Sequence, residues 1–286
     1  MKWFFAFNQD SVASYGDFVK VAVNSALKRT QLEPICLYDG ANDDFTTWLE
    51  ARGVTIWPTQ FRFAAQLDDI GRQINNPALS RIAKGTFLRL ELPRLAAQNG
   101  LRDEVVLYTD CDVLFLGDVE AAQTRKPQLF AVAPELWPTN YLHMNAGVML
   151  LNLPAMQHEE VPWMAFVARF LRRSFDVSFD QGLLRVYFNP LHRLSWKFGL
   201  SDRLFYAAQK WKTLPTYRWN ELPLEWNWKP YWGENSETKI LHFHGPKPQQ
   251  RVEKHQNRLA PHLVPMANHH WDCACALWDA ELKSIN

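Results

Sequence analysis

The stretch LYTDCDVLFLGDV, from Leu107 to Val119, is a strongly apolar run with two aspartates at its centre. Asp110 and Asp112 are separated by one residue, and a buried carboxylate is costly unless a cation or hydrogen-bond donors pair with it. Two carboxylates at this spacing, at the end of a strand, can both reach one hard cation such as Mg²⁺ or Mn²⁺. The spacing alone leaves open a second interpretation, in which they are two surface aspartates in a turn.

The composition limits the class of protein. The chain has 286 residues, of which 47% are hydrophobic and 21% charged, so it can bury a sizeable core. Its formal net charge of +1 indicates no polyanion-binding surface, and we expect no nucleic-acid partner. The N-terminal apolar run is too short for a signal peptide, and no run approaches the ~18 apolar residues of a membrane span. We therefore expect a cytoplasmic protein.

The four cysteines, Cys36, Cys111, Cys273 and Cys275, are too few for a disulfide framework and form no CxxC pair. Reduced thiols fit a cytoplasmic protein. The segment HHWDCAC, residues 269–275, offers nitrogen and sulfur ligands. Its CxC spacing differs from the common structural zinc patterns, so we do not expect zinc there.

Short apolar runs alternate with segments of helical periodicity along most of the chain. The predicted strands are Trp3–Phe7, Pro34–Gly40, Val54–Pro58, Glu104–Leu116 (with a polar break at its two aspartates), Phe130–Glu135, Ala146–Leu153 and Lys239–Gly245. The predicted helices are Ser11–Arg29, Pro77–Gln98 (interrupted by Pro93), Val161–Arg173 and Gln181–Phe188. Continuous apolar strands that alternate with helices predict an α/β fold with a mostly parallel central sheet and helices on both faces.

Four polar residues fall just past the ends of predicted strands. They are Asn8, Asp10, Asp110 and Asp112. In open α/β sheets, ligands bind in a crevice beyond the carboxyl ends of the strands. We therefore expect these four side chains to meet at one crevice.

The composition shifts after about Leu194, where secondary-structure signals become weak. Six tryptophans lie close together in this region: Trp196, Trp211, Trp219, Trp226, Trp228 and Trp232. We interpret the region as an irregular lobe folded onto the sheet, with most of its tryptophans in the core because this side chain has a large apolar surface.

The run around the two aspartates resembles the DxD motif of nucleotide-sugar glycosyltransferases, in particular those of family 8, which include bacterial lipopolysaccharide hexosyltransferases and glycogenin. Further stretches are similar to blocks of that family, in the same order: FAFNQD (residues 5–10), GTFLRLELPRL (85–95), MNAGVMLLNL (144–153), FDQGLL (179–184) and LHFHGPKP (241–248). The resemblance covers Trp3 to about Pro248.

The resemblance implies a GT-A fold and transfer of a hexose from a UDP-sugar to a saccharide acceptor with retention of anomeric configuration. The acceptor would be a lipopolysaccharide core, another surface glycan or a small acceptor. The resemblance also implies Mn²⁺, or Mg²⁺, as the cofactor, with Asp110, Asp112 and His242 as its ligands. His244 alternates with His242 on the predicted strand and would face the opposite side.

The resemblance assigns further roles to single residues. Asn8 and Asp10 would contact uracil and ribose, and Arg89 would approach the donor sugar or the diphosphate. Asn145 and Asp180 would bind hydroxyls of the donor sugar.

The remaining assignments concern the chemistry itself. Gln181 would lie near the anomeric carbon. Because an amide is a poor nucleophile, the mechanism expected is a front-face one, in which the acceptor attacks from the side that the diphosphate leaves. Gly245 and Lys247 would bind phosphate, and Asn227 would help to shape the site.

The chain departs from the family pattern in three places, one of which is Asn8, where the family often has Asp. The family commonly has the motif Asp-Gln-Asp, and Gly182 occupies the position of its second Asp. The spacing between Gly245 and Lys247 is one residue shorter than usual. A non-catalytic nucleotide-sugar or glycan-binding relative is therefore one alternative. A sugar nucleotidyltransferase is another, although no Gly-rich phosphate loop follows the first strand.

We expect one GT-A domain over residues 1–250, with a nucleotide-sugar half at about 1–155 and an acceptor half at about 156–250. Residues 251–286 would form a tail packed on the domain. Four basic residues in the segment 247–258 leave peripheral contact with a membrane surface as a further possibility.

Overall fold

The computed structural model describes residues 1–101, 105–122, 124–197 and 217–285. Trp211 and Glu104, which belong to the sequence predictions above, lie outside these ranges. The strands are β1 (Lys2–Asn8), β2 (Glu33–Asp39), β3 (Thr55–Pro58), β4 (Val105–Thr109), β5 (Val113–Phe115), β6 (Phe130–Pro134), β7 (Met144–Asn152), β8 (Asn220–Glu221) and β9 (Ile240–His242). The helices are α1 (Val12–Arg29), α2 (Asp44–Glu50), α3 (Ala64–Gln73), α4 (Pro77–Phe87), α5 (Leu92–Gln98), α6 (Leu153–Ser174), α7 (Phe179–Tyr187), α8 (Pro190–Lys197), α9 (Arg251–His255) and α10 (His269–Lys283).

Seven strands form one sheet in the order β3–β2–β1–β4–β7–β6–β8. Strands β1 to β4 are parallel, which confirms the predicted mostly parallel sheet, whereas β7 is antiparallel to both β4 and β6. The chain adds β2 and β3 on one side of β1 and β4 on the other. This reversal between β1 and β4 is the place where open α/β sheets bind ligands.

Alternate residues of the strands face two separate apolar cores, because side chains of a strand point to opposite faces. Phe4 and Tyr108 pack with helices of one face, while Trp3 and Leu107 pack on the other face with residues of α1 and α2. Helices therefore cover both faces, as predicted. This is the reason that the central strands are nearly continuous apolar runs.

The predicted single strand from residue 104 to 116 is wrong, because the structure has two strands in two sheets. β4 belongs to the large sheet and ends at Thr109. β5 pairs instead with β9 in a separate antiparallel ribbon, with Val113 opposite His242. The two aspartates occupy the turn between the strands, where their charges leave the apolar sheet. The ribbon brings His242 beside them.

The helical region from residue 77 to 98 also breaks earlier than predicted. α4 ends at Phe87 and a 3₁₀ turn, Leu88–Glu91, connects it to α5. Pro93 lies in the first turn of α5, where a residue without an N–H is tolerated. The irregular turn therefore lies before the proline, and it carries Arg89.

The segment 251–286, expected to be a tail, contains the 15-residue helix α10. Trp271 and Trp278 are buried against α1, where Phe18 lies 5.3 Å from the Trp278 ring. In HHWDCAC, which begins this helix, Cys275 is buried and Cys273 is exposed beside His269. The domain limits at residues 155 and 250 stay predictions.

None of the helices in the described ranges combines the length and the apolar character needed to cross a membrane.

Glu91 anchors the turn that carries Arg89. Its side chain is fully buried and accepts hydrogen bonds from the backbone N–H and guanidinium of Arg62 and from Arg94. Burial opposes ionisation of Glu91, but the hydrogen bonds from Arg62 outweigh it and lower the pKa of this carboxyl. The charge of Glu91 therefore stabilises the fold.

This charge predicts a pH-dependent effect of Glu91→Gln on stability. A carboxylate with a depressed pKa contributes stability above its unfolded pKa of about 4.3, and the contribution is lost as the pH falls through the folded pKa. At pH 7 we expect the variant to be less stable by about 1–3 kcal/mol, and the difference should shrink towards pH 3. Urea unfolding across this range measures it.

The matched control is Glu33→Gln, which removes an exposed partner of Lys2. An exposed ion pair contributes ~1 kcal/mol or less, so this variant should unfold close to the wild type at every pH. A constant difference between Glu91→Gln and the wild type from pH 7 to 3 would contradict the assignment.

Candidate active site

A cleft opens at the reversal point between β1 and β4. It is lined by the end of β1, at Phe7 and Asn8, by Tyr15 on α1, and by the two aspartates and Lys247. Asn8 is buried and donates through Nδ2 to the backbone oxygen of Arg81. Its Oδ1 has no hydrogen-bond partner among the described residues. A ligand with an N–H or O–H group would satisfy this unpaired acceptor on a residue that lines the cleft.

Asp110 and Asp112 line this cleft, and His242 lies beside Asp112. Each presents one ligand atom, and these atoms lie within 4.8 Å of one another. Among the described residues, these three side chains are the cluster of acidic, histidine or cysteine groups that could bind a metal ion. Oδ1 of Asp112 is buried and lies 3.3 Å from Nε2 of His242, and no described residue donates a hydrogen bond to it. Two oxygens and an imidazole nitrogen fit Mn²⁺ or Mg²⁺.

The charges around the cluster differ for its three members. Burial raises the pKa of Asp110 to about 6, with Arg89 opposing the rise and Asp112 adding to it. Burial also disfavours the charged form of Asp112, but Lys247 and His242 outweigh it and hold the pKa of Asp112 well below its usual range. Burial lowers the pKa of His242 to about 4, so its imidazole is neutral near pH 7.

Lys247 adds a positive charge to the cluster. Its Nζ lies 2.5 Å from Oδ2 of Asp112 and donates to the backbone oxygen of Phe243 at 2.6 Å. The turn that delivers it contains Gly245, whose φ of +93° is rarely adopted by other residues. Although the spacing between Gly245 and Lys247 is short, the ammonium group of Lys247 therefore still reaches the cleft.

Arg89 lies behind the cluster and is 7% exposed. Its guanidinium pairs with Asp110 at 3.0 Å and with Asp180 at 2.7 Å, and it donates to the backbone oxygen of Ala146. The sequence predicts a contact with the donor sugar or diphosphate. That contact stays a prediction, and within the protein Arg89 holds two carboxylates of the site together.

Gln181 is fixed by three hydrogen bonds. Its Oε1 accepts from the backbone N–H of Ala146 at 2.8 Å and from Nδ2 of Asn145 at 3.1 Å. Its Nε2 donates to Glu135 at 2.9 Å. The carbonyl oxygen of Gln181 is therefore fully occupied, and among the described residues one N–H of its amide has no acceptor.

The turn before Asp180 and Gln181 explains why the next residue is glycine. Ser178 and Phe179 both have positive φ angles, 68° and 54°, which are strained for residues with side chains. This conformation folds the carbonyl oxygen of Val177 against Gly182, where a Cβ would overlap it. The Asp expected from the family pattern at position 182 does not fit this turn.

Gly147 has a similar role beside the candidate metal-binding cluster. A Cβ on this residue would overlap Cε1 of the His242 ring. Gly147 also accepts a hydrogen bond through its backbone oxygen from the N–H of Asp110 at 2.8 Å. The glycine of the MNAGV segment thus makes room for the imidazole and holds the adjacent aspartate.

Two sequence-predicted residues lie differently from expectation. Asp10 is exposed on the turn Gln9–Ser11 and is absent from the described lining of the cleft. β9 ends at His242, so strand alternation does not apply to His244. The His244 ring lies 5.9 Å from that of His242, and its Nδ1 lies 2.8 Å from the Tyr231 hydroxyl.

Glu135 and Arg185 are site residues that the sequence did not single out. Glu135 binds Gln181 and pairs with Arg185 at 2.8 Å. Burial raises the pKa of Glu135, but His244 and Arg185 reverse this effect and lower it to about 2. Glu135 follows β6 directly, so the strand-end rule that selected Asp110 could have found it. Arg185, inside a helix, had no such signal.

No protein-family model matches the chain, and no curated protein matches it. Solved structures do match its fold. The galactosyltransferase LgtC, in complex with donor and acceptor sugar analogues, has a TM-score of 0.59 and 15% identity, with 99% of this chain and 96% of that chain covered. The glycosyltransferase GlyE of Streptococcus pneumoniae TIGR4 has a TM-score of 0.55 and 15% identity, with 99% and 64% covered.

Mouse xyloside xylosyltransferase 1 has a TM-score of 0.50 and 13% identity, with 85% of this chain and 97% of that chain covered. The chain spans less than two thirds of the GlyE chain, but nearly all of LgtC. The chain therefore has the GT-A glycosyltransferase fold, with the Asp110–Asp112–His242 cluster at the ligand-binding edge of its sheet.

The tight turn predicts that Gly182→Ala destabilises the protein. Because the new Cβ meets a backbone oxygen, the turn must open, and we expect a loss of about 1–3 kcal/mol in the free energy of unfolding. Gly16→Ala is the control, since its Cβ would make ordinary contacts inside α1. It should be neutral or stabilising by up to about 1 kcal/mol. Equal stability of both variants would show that the turn is not constrained.

The close packing of His242 predicts that Gly147→Ala weakens metal binding. The added methyl group displaces the imidazole, so Mn²⁺ affinity should fall at least ~10-fold in a calorimetric titration without nucleotide. In the control Gly117→Ala, the Cβ meets only the flexible chain of Lys239. That variant should bind Mn²⁺ as the wild type does, and an equal loss in both would remove the steric explanation.

Proposed function

We propose that the protein transfers a hexose from a UDP-sugar to a saccharide acceptor, with retention of configuration and with a divalent cation at Asp110, Asp112 and His242. The observation that carries the proposal is the position of this cluster. The three ligand atoms converge within 4.8 Å at the ligand-binding edge of a GT-A fold. The family 8 resemblance of the same segments supports the retaining reaction.

The residues present suit a divalent cation. The buried, unpartnered Oδ1 of Asp112 and a neutral His242 are both acceptors, and a cation between them would satisfy both. Such a cation would neutralise the diphosphate leaving group. Mn²⁺ is favoured over Mg²⁺ because one of the ligands is a nitrogen.

The donor nucleotide is proposed to occupy the cleft between β1 and β4. Asn8 Oδ1, which is buried and unpartnered within the described ranges, would accept the ring N–H of uracil. Lys247 would contact the diphosphate, since its ammonium group lines the same cleft beside Asp112.

The proposed reaction follows from the state of the nearby side chains. Asp180 is buried and paired with Arg89, and the oxygen of Gln181 already accepts two hydrogen bonds, so neither is a suitable nucleophile. We therefore infer a front-face displacement. The bond from the anomeric carbon to the diphosphate breaks, a bond to the acceptor oxygen forms, and the acceptor proton passes to a diphosphate oxygen. The remaining N–H of Gln181 would bind the donor sugar.

The acceptor is proposed to bind on the side of Glu135 and the irregular lobe. Trp137, two residues beyond Glu135, is 60% exposed, and aromatic faces pack well on sugar rings. The family resemblance favours a lipopolysaccharide or other surface glycan as the acceptor. A cytoplasmic location and contact with a membrane surface stay predictions.

The decisive measurement is UDP release from a panel of UDP-sugars, in Mn²⁺ or EDTA, without acceptor. We expect slow hydrolysis of one sugar that requires the metal. Asp112→Asn should reduce it at least ~100-fold, because several kcal/mol of charge stabilisation are lost. Asp118→Asn is the matched control, since this exposed residue of the same segment lies outside the cluster. It should behave as the wild type.

The other outcomes are informative. If UDP raises the melting temperature in Mn²⁺ but no sugar is hydrolysed, the protein either requires its acceptor strictly or binds without catalysis, and adding glycan acceptors distinguishes these. If neither UDP nor Mn²⁺ binds, the assignment of the two aspartates is wrong. Trapping of a covalent glycosyl-enzyme on Asp180 would contradict the front-face mechanism.

A further inference from the structure

A chain of buried amides leads from His242 into the protein. Nδ1 of His242 lies 2.9 Å from Oδ1 of Asn227. The Nδ2 of Asn227 donates to Oδ1 of Asn145 at 3.0 Å, and Nδ2 of Asn145 donates to Gln181. Asn227 is fully buried, Asn145 is 3% exposed and His242 is 2% exposed. Because water is excluded, each of these side chains must form its hydrogen bonds with neighbouring protein groups.

Two backbone N–H groups set the direction of the hydrogen bonds in this chain. The N–H of Gly147 donates to Oδ1 of Asn145 at 3.2 Å, and the N–H of Ala146 donates to Oε1 of Gln181 at 2.8 Å. A backbone N–H can only donate, so both side-chain oxygens are fixed as acceptors. The NH₂ group of Asn145 must then point to Gln181.

The same direction is imposed on Asn227 and His242. Because Oδ1 of Asn145 is an acceptor, the facing atom of Asn227 must be its NH₂ group. The oxygen of Asn227 is left to face the imidazole, so Nδ1 of His242 must carry the proton. In the neutral imidazole Nε2 then has a free lone pair, and it lies 3.3 Å from Oδ1 of Asp112.

The opposite arrangement is not available. If Nε2 of His242 carried the proton and donated to Asp112, Nδ1 would need a donor from Asn227. If the amide of Asn227 were rotated by 180°, its oxygen would face the oxygen of Asn145. If the amide of Asn145 were rotated as well, its NH₂ group would face the N–H of Gly147. Each buried mismatch costs about 1–3 kcal/mol.

We propose that Asn227 is a positioning residue that fixes His242 in the tautomer protonated at Nδ1, so that the Nε2 lone pair is ready for a cation shared with Asp112. The identity of that cation rests on the proposed function, whereas the tautomer rests on the hydrogen bonds alone. Asn227 itself is too far inside to contact substrate.

A buried lysine, Lys229, holds the backbone of Asn227. Lys229 is fully buried and donates through Nζ to the backbone oxygens of Asn227 at 3.0 Å and Pro134 at 2.8 Å. Pro134 is the last residue of β6, so Lys229 connects Asn227 to the end of this strand. The side chain of Asn227 thus has little freedom to rotate away from His242.

The test begins with the metal-free wild type, using ¹⁵N NMR of the histidine ring nitrogens. His242 is assigned by the signal that disappears in His242→Gln. We expect the pattern of an imidazole protonated at Nδ1. In Asn227→Ala the proton should move to Nε2, where Asp112 accepts it, and Mn²⁺ affinity should fall about 10–100-fold.

Two further variants separate positioning from general stability. Asn227→Asp keeps an oxygen for Nδ1, and its second oxygen, when protonated, donates to Oδ1 of Asn145 as the amide does. In this form it should retain the wild-type tautomer and recover most of the Mn²⁺ affinity that Asn227→Ala loses. Asn152→Ala is the control, because this buried asparagine binds Pro127 and Ala155 near the far end of β7. It should change neither the tautomer nor the affinity.

The outcomes separate this inference from the proposed function. A wild-type His242 protonated at Nε2 would overturn the inference, even if Asn227→Ala fails to fold. So would an unchanged tautomer and affinity in folded Asn227→Ala. A wild type protonated at Nδ1 that binds no Mn²⁺ would support the role of Asn227 and contradict the proposed metal site.

Discussion

Arg89 provides the interaction on which the site depends, because it is a buried cation between two carboxylates. Asp110 and Asp180 come from distant parts of the chain, and each would be costly to bury without a positive partner. The guanidinium supplies that charge with fixed, planar geometry. Arg89 is held in turn by the irregular turn that Glu91 anchors to Arg62. A structural ion pair outside the cleft thus determines the position of the acidic groups within it.

The antiparallel strand β7 brings a second set of groups to the same edge. In a fully parallel sheet, the residues that begin a strand lie at the edge opposite those that follow one. β7 runs against β4, so Asn145 at its start lies beside Asp110 after β4. The glycine that follows shortly after, Gly147, leaves space for His242. One reversed strand therefore joins the metal cluster to the amides that surround it.

The polar groups around the cluster form a connected network with a single direction of hydrogen bonding. It runs from His242 through Asn227 and Asn145 to Gln181 and ends at the carboxylate of Glu135. In a buried network, each donor must meet an acceptor, so the orientation of one amide determines the next. The metal cluster and the glutamine proposed to contact the donor sugar are therefore linked through hydrogen bonds of fixed polarity.

The sequence by itself determined the α/β class, the mostly parallel sheet and the edge at which Asn8, Asp110 and Asp112 lie, because apolar periodicity and polar strand ends are local signals. Resemblance to family 8 pointed to His242, which no local pattern could connect to residue 112. Only the tertiary structure decided that the apolar run divides into β4 and β5, since β5 pairs with β9, which lies far along the chain. It also decided the ion pairs of Arg89, the location of Asp10 and the hydrogen bonds of Glu135 and Asn227, because these depend on which buried groups must satisfy one another.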